Sequence, residues 1–176
     1  MRHDYILHVH TLENPFAGAN QTGWCSAAME DLCGSENRVR KIFGLLQSTA
    51  SIGMVYPEPV DSVPLYAYTR RQNGYHLSRL SGELGFAADR TVVNYPVGGF
   101  FWARTDALRP MFDRAFIYED FEQDCGQKDG TLAYALEIAV GPVVQSLNYS
   151  LATLDNRENT VWFACGQKCG GICRAR

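Results

Sequence analysis

Apolar residues occur in short runs separated by polar segments, and the spacing within each run predicts an alternation of strands and helices. The run at 5–10, "YILHVH", predicts a buried strand that leads into a polar loop. The run at 51–57, "SIGMVYP", predicts a second buried strand that ends at Pro57. A third strand is predicted at 98–104, "GGFFWAR", although its consecutive aromatic residues do not fit a strand with one face in water.

Helical patterns lie between and after these strands. A short helix is predicted from Trp24 to Cys33, because Gly34 is a typical helix terminator. Ser35 is well suited to cap the N-terminus of a second helix at 36–47. Further helices are predicted at about 76–84, at 106–112 with Thr105 as its cap, and at 131–140. Because strands and helices alternate, the sequence predicts the α/β class.

Composition and charge exclude some partners. The 176 residues suffice for one domain with a sizeable core, which we expect to cover residues 1–155. The net charge is −3 and the basic residues are scattered, which argues against binding a nucleic-acid backbone. No apolar run approaches the ~20 residues of a membrane span. The first ten residues are too polar for a secretory signal, so the sequence predicts a cytoplasmic protein.

An irregular C-terminal tail is predicted at 156–176, where Gly166, Gly170 and Gly171 argue against a helix. Three of the six cysteines lie in this tail with the spacing C-x3-C-x3-C. That spacing does not match the paired cysteines of common zinc sites. We therefore expect free thiols, and a metal site in the tail is the weaker alternative.

The segment "HVHT", 8–11, is the first candidate for chemistry. In a strand, His8 and His10 point to the same face. Two imidazoles beside a hydroxyl can ligate a metal or bind a phosphate. On spacing alone the plainer interpretation is favoured, in which one histidine packs in the core and the other caps the loop.

The segment 120–137 is the second candidate, because five carboxylates fall within it. Asp129 precedes the predicted helix at 131–140, where the helix dipole favours an ionised carboxylate. A base in that position can take a proton from an incoming hydroxyl. Asp129 is equally suited to be a helix cap, with Gly130 and Thr131 completing the turn, and the spacing does not separate the two roles.

The segment 98–104 is the third candidate. Gly98 and Gly99 permit close approach of a backbone or a ligand. Trp102 can stack on a sugar or a base while Arg104 binds a phosphate. The alternative is a central strand buried on both faces, which accounts for the phenylalanines but less well for the glycine pair and the Trp–Arg pair.

Five segments, in order, resemble the rhamnan synthesis F family of bacterial polysaccharide glycosyltransferases. They are "YILHVHT", "GWCSAAMEDLCGS", "IGMVYP", "GGFFWARTDALRP" and "GQKDGTLAYALE", and together they span about residues 4–140. The resemblance implies a GT-A-like nucleotide-diphospho-sugar transferase, a three-layer α/β sandwich. The family's nucleotide-binding half, with its Gly-Arg-Asp segment, has no counterpart here, so we expect the C-terminal part of such a domain.

The resemblance also implies roles for individual residues. The "HVHT" segment stands where an Asp-x-Asp metal motif is usual, so His8, His10 and Thr11 would face the donor diphosphate. Asp129 would be the base that acts on a glycan acceptor, with inversion at the sugar, rhamnose being one candidate. Arg104 and His10, or a divalent cation such as Mg or Mn, would stabilise the departing diphosphate. The substrate-binding residues implied are His8, His10, Thr11, Gly98, Gly99, Trp102, Arg104, Gln127, Gly130 and Thr131.

Three positions depart from the family pattern. Leu12 stands where the family has a lysine, and Tyr134 and Ile138 stand where it tends to have histidine and arginine. These departures, with the absent half, support a second hypothesis. The chain would then be a non-catalytic remnant that binds glycan or a protein partner.

Overall fold

The computed structural model describes residues 3–10, 20–58, 68–88, 93–123, 125–127, 129–155, 160–164 and 172–174. The strands are β1 Tyr5–His8, β2 Ile52–Pro57, β3 Phe101–Arg104, β4 Ser150–Asp155, β5 Thr160–Ala164 and β6 Ile172–Arg174. The α-helices are α1 Asn20–Cys33, α2 Glu36–Ser48, α3 Gly74–Leu84, α4 Arg109–Arg114 and α5 Leu132–Ser146. Short 3-10 turns lie at Arg71–Asn73, Asp106–Leu108 and Tyr118–Asp120.

The strands form one mixed sheet in the order β1-β3-β2-β4-β5-β6. The pair β2 and β4 is parallel, whereas β1 with β3, β3 with β2, β4 with β5 and β5 with β6 are antiparallel. The predicted α/β class is confirmed. The finer expectation of a GT-A-like sandwich stays a prediction.

Helices cover both faces of the sheet. On one face Phe101 and Ala103 of β3 join a buried cluster with Val140 and Val144 of α5. On the other face Trp102 of β3 packs with residues of α1 and α2, in a cluster around Leu32 and Leu46. Alternate residues of β3 therefore belong to different layers, as the pleat of a strand requires.

Residues in the first strand follow the same division. In the register between β1 and β3, His8 lies opposite Phe101 and Tyr5 lies opposite Arg104. Directly opposed residues of an antiparallel pair share a face. His8 is therefore on the α5 face of the sheet, while Arg104 is on the α1–α2 face.

The first two helices lie at or near their predicted positions. Helix α2 begins where predicted, and the Arg38 backbone N–H donates to the Ser35 hydroxyl at 3.3 Å, as an N-cap requires. Helix α1 begins at Asn20, four residues before the predicted Trp24.

Helix α5 continues to Ser146, past the predicted end at 140, and contains Pro142. Proline normally interrupts a helix because it lacks the N–H and its ring crowds the preceding turn. Burial outweighs that cost here, since Val143 and Val144 are completely buried.

Two other local predictions differ from the structure. Thr105 stands at the N-cap position of the 3-10 turn Asp106–Leu108, but its side chain makes no cap hydrogen bond, and its hydroxyl instead donates to the His3 carbonyl at 2.6 Å. The segment 156–176 contains β5 and β6, so it is not simply irregular. Strand β5 is rich in β-branched and aromatic residues, which favour a strand, and it pairs with β4.

In the part of the chain described, no helix combines the length and the apolar character needed to cross a membrane.

Candidate functional site

Two histidines meet a glycine turn at the end of β1. Nδ1 of His8 lies 2.5 Å from the Gly99 carbonyl oxygen. Nε2 of His10 lies 2.6 Å from the Gly98 carbonyl oxygen. Both imidazoles are therefore held by the same short segment, although about 90 residues separate it from them in the chain.

The turn needs glycine at both positions. Gly98 and Gly99 have φ values of 79° and 74°, in the left-handed region that side chains disfavour. A Cβ on Gly99 would lie 3.2 Å from Nε2 of His10 and 3.4 Å from Cε1 of His8. The glycines thus provide both the backbone conformation and the space for the imidazoles.

Each imidazole also stacks on a phenylalanine. The His8 ring lies 5.2 Å from the Phe101 ring at an interplanar angle of 13°. The His10 ring lies 5.1 Å from the Phe100 ring at 14°. The histidine rings are 5.6 Å apart. Stacking and hydrogen bonding together fix the orientation of both rings.

Glu137 of α5 holds the same turn from the other side. Its Oε1 accepts the Gly98 backbone N–H at 2.7 Å. Burial raises the pKa of the Glu137 carboxyl, while the Gly98 N–H, His10, Arg71 and His8 act in the opposite direction. A carboxyl with a raised pKa, next to two imidazoles, is a combination typical of sites that bind or transfer protons.

These groups border a cleft of about 480 Å³ between the end of β1 and helix α5. Its lining is mostly apolar, with the polar groups gathered at one end. The lining includes His8, His10, Gly99, Phe101, Met111 and Glu137. A cleft of this size with a few convergent polar groups is typical of a small-molecule site.

The sequence profile of the family described as "Rhamnan synthesis protein F" matches residues 1–149. The match covers most of the 176 residues. The chain belongs to the rhamnan synthesis protein F family. The resemblance indicated by the five ordered segments is thus confirmed, and the family's name connects it with the synthesis of a polysaccharide, rhamnan.

Curated relatives carry the name "Uncharacterized protein WxcX" and come from two strains of Xanthomonas campestris pv. campestris. Each is 29% identical to this chain over 150 residues, which is 85% of the chain and 21% of the relative. The matched part thus spans about a fifth of these relatives' length. Comparison with solved structures gave no significant match.

Asp129 is the base that the resemblance to the rhamnan synthesis F family implies, and its carboxylate is extensively hydrogen-bonded. Oδ2 accepts the Gln72 backbone N–H at 3.1 Å and lies 3.1 Å from Nε of Arg71. Oδ1 accepts the Asn73 side-chain amide and, at 3.0 Å, the Gly130 N–H. Asp129 thus ties the turn before α3 to the segment before α5, and its catalytic role stays a prediction.

Arg104 and Trp102 lie on the α1–α2 face of the sheet, opposite to the histidine cleft. The guanidinium of Arg104 donates to the backbone carbonyls of Ile52, at 2.7 Å, and of Leu46, near the end of α2. The indole of Trp102 donates to the Leu32 carbonyl at 3.0 Å. The structure therefore separates this pair from the histidines and from both glycines.

The other residues implied by the rhamnan synthesis F resemblance are spread around the start of α5. Thr131 is its N-cap, and its hydroxyl accepts the Tyr134 N–H at 3.5 Å. Gly130 has a φ of 77°, and its N–H donates to the Asn73 side chain at 3.0 Å. Gln127 is exposed, and its carbonyl accepts the Tyr134 hydroxyl at 3.2 Å. Thr11 lies outside the described residues.

Metal ligands were a further candidate role. Within the described ranges no group of three or more His, Cys, Asp and Glu side chains is arranged to hold a metal ion. Cys25, Cys33 and Cys125 are free thiols. The side chains of the three C-terminal cysteines lie outside the described parts. A divalent cation held with a substrate diphosphate stays a prediction.

Sequence reasoning missed the role of Glu137. It stood among five carboxylates in 120–137, with no local signal to distinguish it. Only the packing of α5 against the Gly98–Gly99 turn brings it to the histidines. A heptad-like face of α5, with Ala133, Glu137 and Val140 four and three residues apart, would have been the available clue.

Proposed function

We propose that this chain is part of a glycosyltransferase that moves a sugar from a nucleotide donor to a polysaccharide acceptor. The proposed saccharide site is the cleft between β1 and α5. The observation that carries the proposal is the convergence of His8, His10 and Glu137 on one glycine turn at the end of that cleft. Membership of a family named for rhamnan synthesis supplies the substrate class.

The chemistry of the cleft supports a sugar ligand. Imidazoles, a carboxyl and backbone carbonyls are the groups that bind hydroxyls, while the apolar lining can contact the face of a sugar ring. Preorganised groups of this kind are suited to stabilising charge that develops during transfer. The donor is proposed to be a nucleotide sugar, with a rhamnose donor as the first to test.

The test is sugar transfer by the full protein, with a panel of nucleotide sugars and a family polysaccharide as acceptor. His8→Ala and His10→Ala are expected to lower kcat/KM at least about tenfold, which is roughly 1.4 kcal/mol of transition-state stabilisation. His3→Ala is the matched control, because His3 is exposed and lies at the opposite end of β1. Equal rates for all three variants would show that the cleft takes no part in sugar transfer.

A second function is glycan binding without transfer, and the bonding of Asp129 and Arg104 favours it. Asp129 is tied to the turn before α3, and Arg104 to the carbonyls of Leu46 in α2 and Ile52 in β2. Neither is presented to a ligand as the family resemblance implies. Calorimetry with polysaccharide, carried out beside the transfer assay, separates the two functions. A remnant would bind the polysaccharide but would neither hydrolyse nor transfer sugar from any nucleotide donor.

A further inference from the structure

Resting on the proposed transfer reaction, we infer that His8 is the group that accepts the proton of the acceptor hydroxyl. Its orienting partner is the Gly99 carbonyl, in the position that a carboxylate often occupies beside a catalytic histidine. Whether His8 can accept that proton depends on which of its ring nitrogens already carries hydrogen.

The glycine carbonyls determine the tautomers. A carbonyl oxygen only accepts hydrogen bonds, so the nitrogen facing it must carry the hydrogen. For His8 that nitrogen is Nδ1, 2.5 Å from the Gly99 oxygen, and for His10 it is Nε2, 2.6 Å from the Gly98 oxygen. In the neutral form, the lone pair of His8 is therefore on Nε2 and that of His10 on Nδ1.

The two lone pairs differ in reach. Nε2 is the ring nitrogen farther from the backbone, whereas Nδ1 is bonded to Cγ, the ring carbon that carries Cβ. His8 therefore presents its lone pair at the far end of the ring, and His10 does not. No hydrogen bond to Nε2 of His8 comes from any residue within the described ranges, and the side chain is exposed where it borders the cleft.

The His8 ring is also held in place. It stacks on Phe101, and the left-handed conformation of Gly99 directs the carbonyl at Nδ1. Glu137 fixes the turn by accepting the Gly98 N–H. A base whose orientation is set before the substrate binds loses little freedom in the reaction.

Asp129 is the competing base, and its bonding makes it less suitable. Its two oxygens already accept the backbone N–H groups of Gln72 and Gly130 and the Asn73 amide, and Oδ2 also forms an ion pair with Arg71. A proton from an acceptor hydroxyl would have to displace one of these donors. Nε2 of His8 requires no such exchange.

Proton transfer to His8 accompanies formation of the new glycosidic bond. The acceptor hydroxyl gives its proton to Nε2 of His8 as its oxygen bonds to the anomeric carbon of the donor sugar. The bond from that carbon to the diphosphate oxygen breaks, and the nucleoside diphosphate leaves with the electron pair. The imidazolium of His8 then releases the proton to water. Among the described residues, the carboxyl of Glu137 interacts electrostatically with His8, His10 and Arg71, and also with Tyr95.

The first test is the tautomer, measured by NMR on the protein labelled with nitrogen-15 in histidine. The expected result is hydrogen on Nδ1 of His8 and on Nε2 of His10 in the neutral forms. Hydrogen on Nε2 of neutral His8 would overturn the inference. This measurement uses the unmodified protein, so it does not depend on the folding of any variant.

The second test is the kinetics of His8→Asn in the full protein. Asparagine can keep a donor toward the Gly99 carbonyl but has no basic nitrogen. We expect kcat to fall about 10²- to 10⁴-fold, with the KM of the donor nearly unchanged. His3→Asn is the control and should keep the wild-type rate.

The outcomes separate the two proposals. Transfer by His8→Asn within about threefold of wild type, or a large loss in Asp129→Asn alone, overturns the inference and leaves the proposed function standing. Absence of transfer by the wild-type protein with every donor overturns the proposed function, and this inference with it.

Discussion

At the residue scale, the face of β3 on which a side chain lies decides whether it borders the proposed ligand cleft or supports the fold. Phe101 faces α5 and supports the ring of His8. Arg104 faces α2, where its guanidinium binds backbone carbonyls and lies 5.6 Å from the Tyr5 ring centroid. Arg104 thus stabilises the end of α2 in the way that a cation at a helix C-terminus does.

Replacing Arg104 tests that structural role. Arg104→Ala should lower the free energy of unfolding by about 2 kcal/mol, because charge-assisted hydrogen bonds to buried carbonyls are lost. Urea unfolding measures the change. Arg40→Ala is the matched control and should cost less than about 0.5 kcal/mol, since its pair with Glu36 is exposed.

The same variants answer the alternative role for Arg104. If Arg104 bound the donor diphosphate, Arg104→Lys would weaken nucleotide-sugar binding even under conditions where it stays folded. We expect equal affinity in Arg104→Lys and wild type. A tenfold weaker affinity in the folded variant would restore Arg104 to the binding site.

Glu137 gives the site a pH dependence that unfolding can measure. Because burial raises its pKa, the folded state binds a proton more tightly than the unfolded state. The contribution of Glu137 to the free energy of unfolding is therefore fully present below the pKa of the unfolded state. It is lost as pH rises through the pKa of the folded state. Wild type should lose stability relative to Glu137→Gln as pH rises from about 4 to about 8.

Chemical unfolding of both proteins across this range measures the gap between them. The exposed Glu36→Gln, whose carboxylate pairs with Arg40 on the surface, should show no comparable trend. A gap that moves the other way, with wild type gaining on Glu137→Gln at high pH, would mean that the carboxylate is stabilised by its neighbours more than burial penalises it.

At the element scale, helix α5 determines the cleft, because it presents Glu137 to the glycine turn while its other faces fill the core. Close packing fixes its position. A Cβ on Gly141 would lie 1.9 Å from the Asn94 carbonyl oxygen, which is backbone and has little freedom to move. The helix and the segment 93–97 before the turn are therefore in direct contact.

Gly141→Ala should accordingly destabilise the protein by about 2–3 kcal/mol, because the methyl group must force the two backbones apart. Gly44→Ala is the matched control in helix α2. A Cβ there meets nothing within 4 Å, so the change should stabilise by about 0.5–1 kcal/mol. Thermal unfolding of the two variants compares them, and a neutral Gly141→Ala would show that α5 can shift without cost.

Short-range patterns predicted most of these elements. The strands β1, β2 and β3 follow from apolar runs, and the start of α2 follows from Ser35. The extension of α5 beyond 140 was not predictable from propensity, since it depends on burying Val143 and Val144. The pairing of β5 with β4 is likewise a tertiary effect.

At the scale of the whole molecule, the site required information that no local window contains. The sequence placed His8, His10, Gly98 and Gly99 among the candidates, and the structure brings these four together. It could not distinguish the two faces of β3, because a strand pattern without its neighbours does not show which layer each face contacts. Trp102 and Arg104 were for that reason grouped with the ligand.

A titration of the labelled protein with a nucleotide sugar tests whether the cleft between β1 and α5 is the saccharide site. Amide signals of Gly98 and Gly99 and ring signals of His8 and His10 should shift together with one dissociation constant, at or below about 1 mM. Signals from residues on the α1–α2 face, such as the indole of Trp102, should stay unchanged. Shifts confined to that opposite face, or no shift at millimolar ligand, would contradict the proposed site.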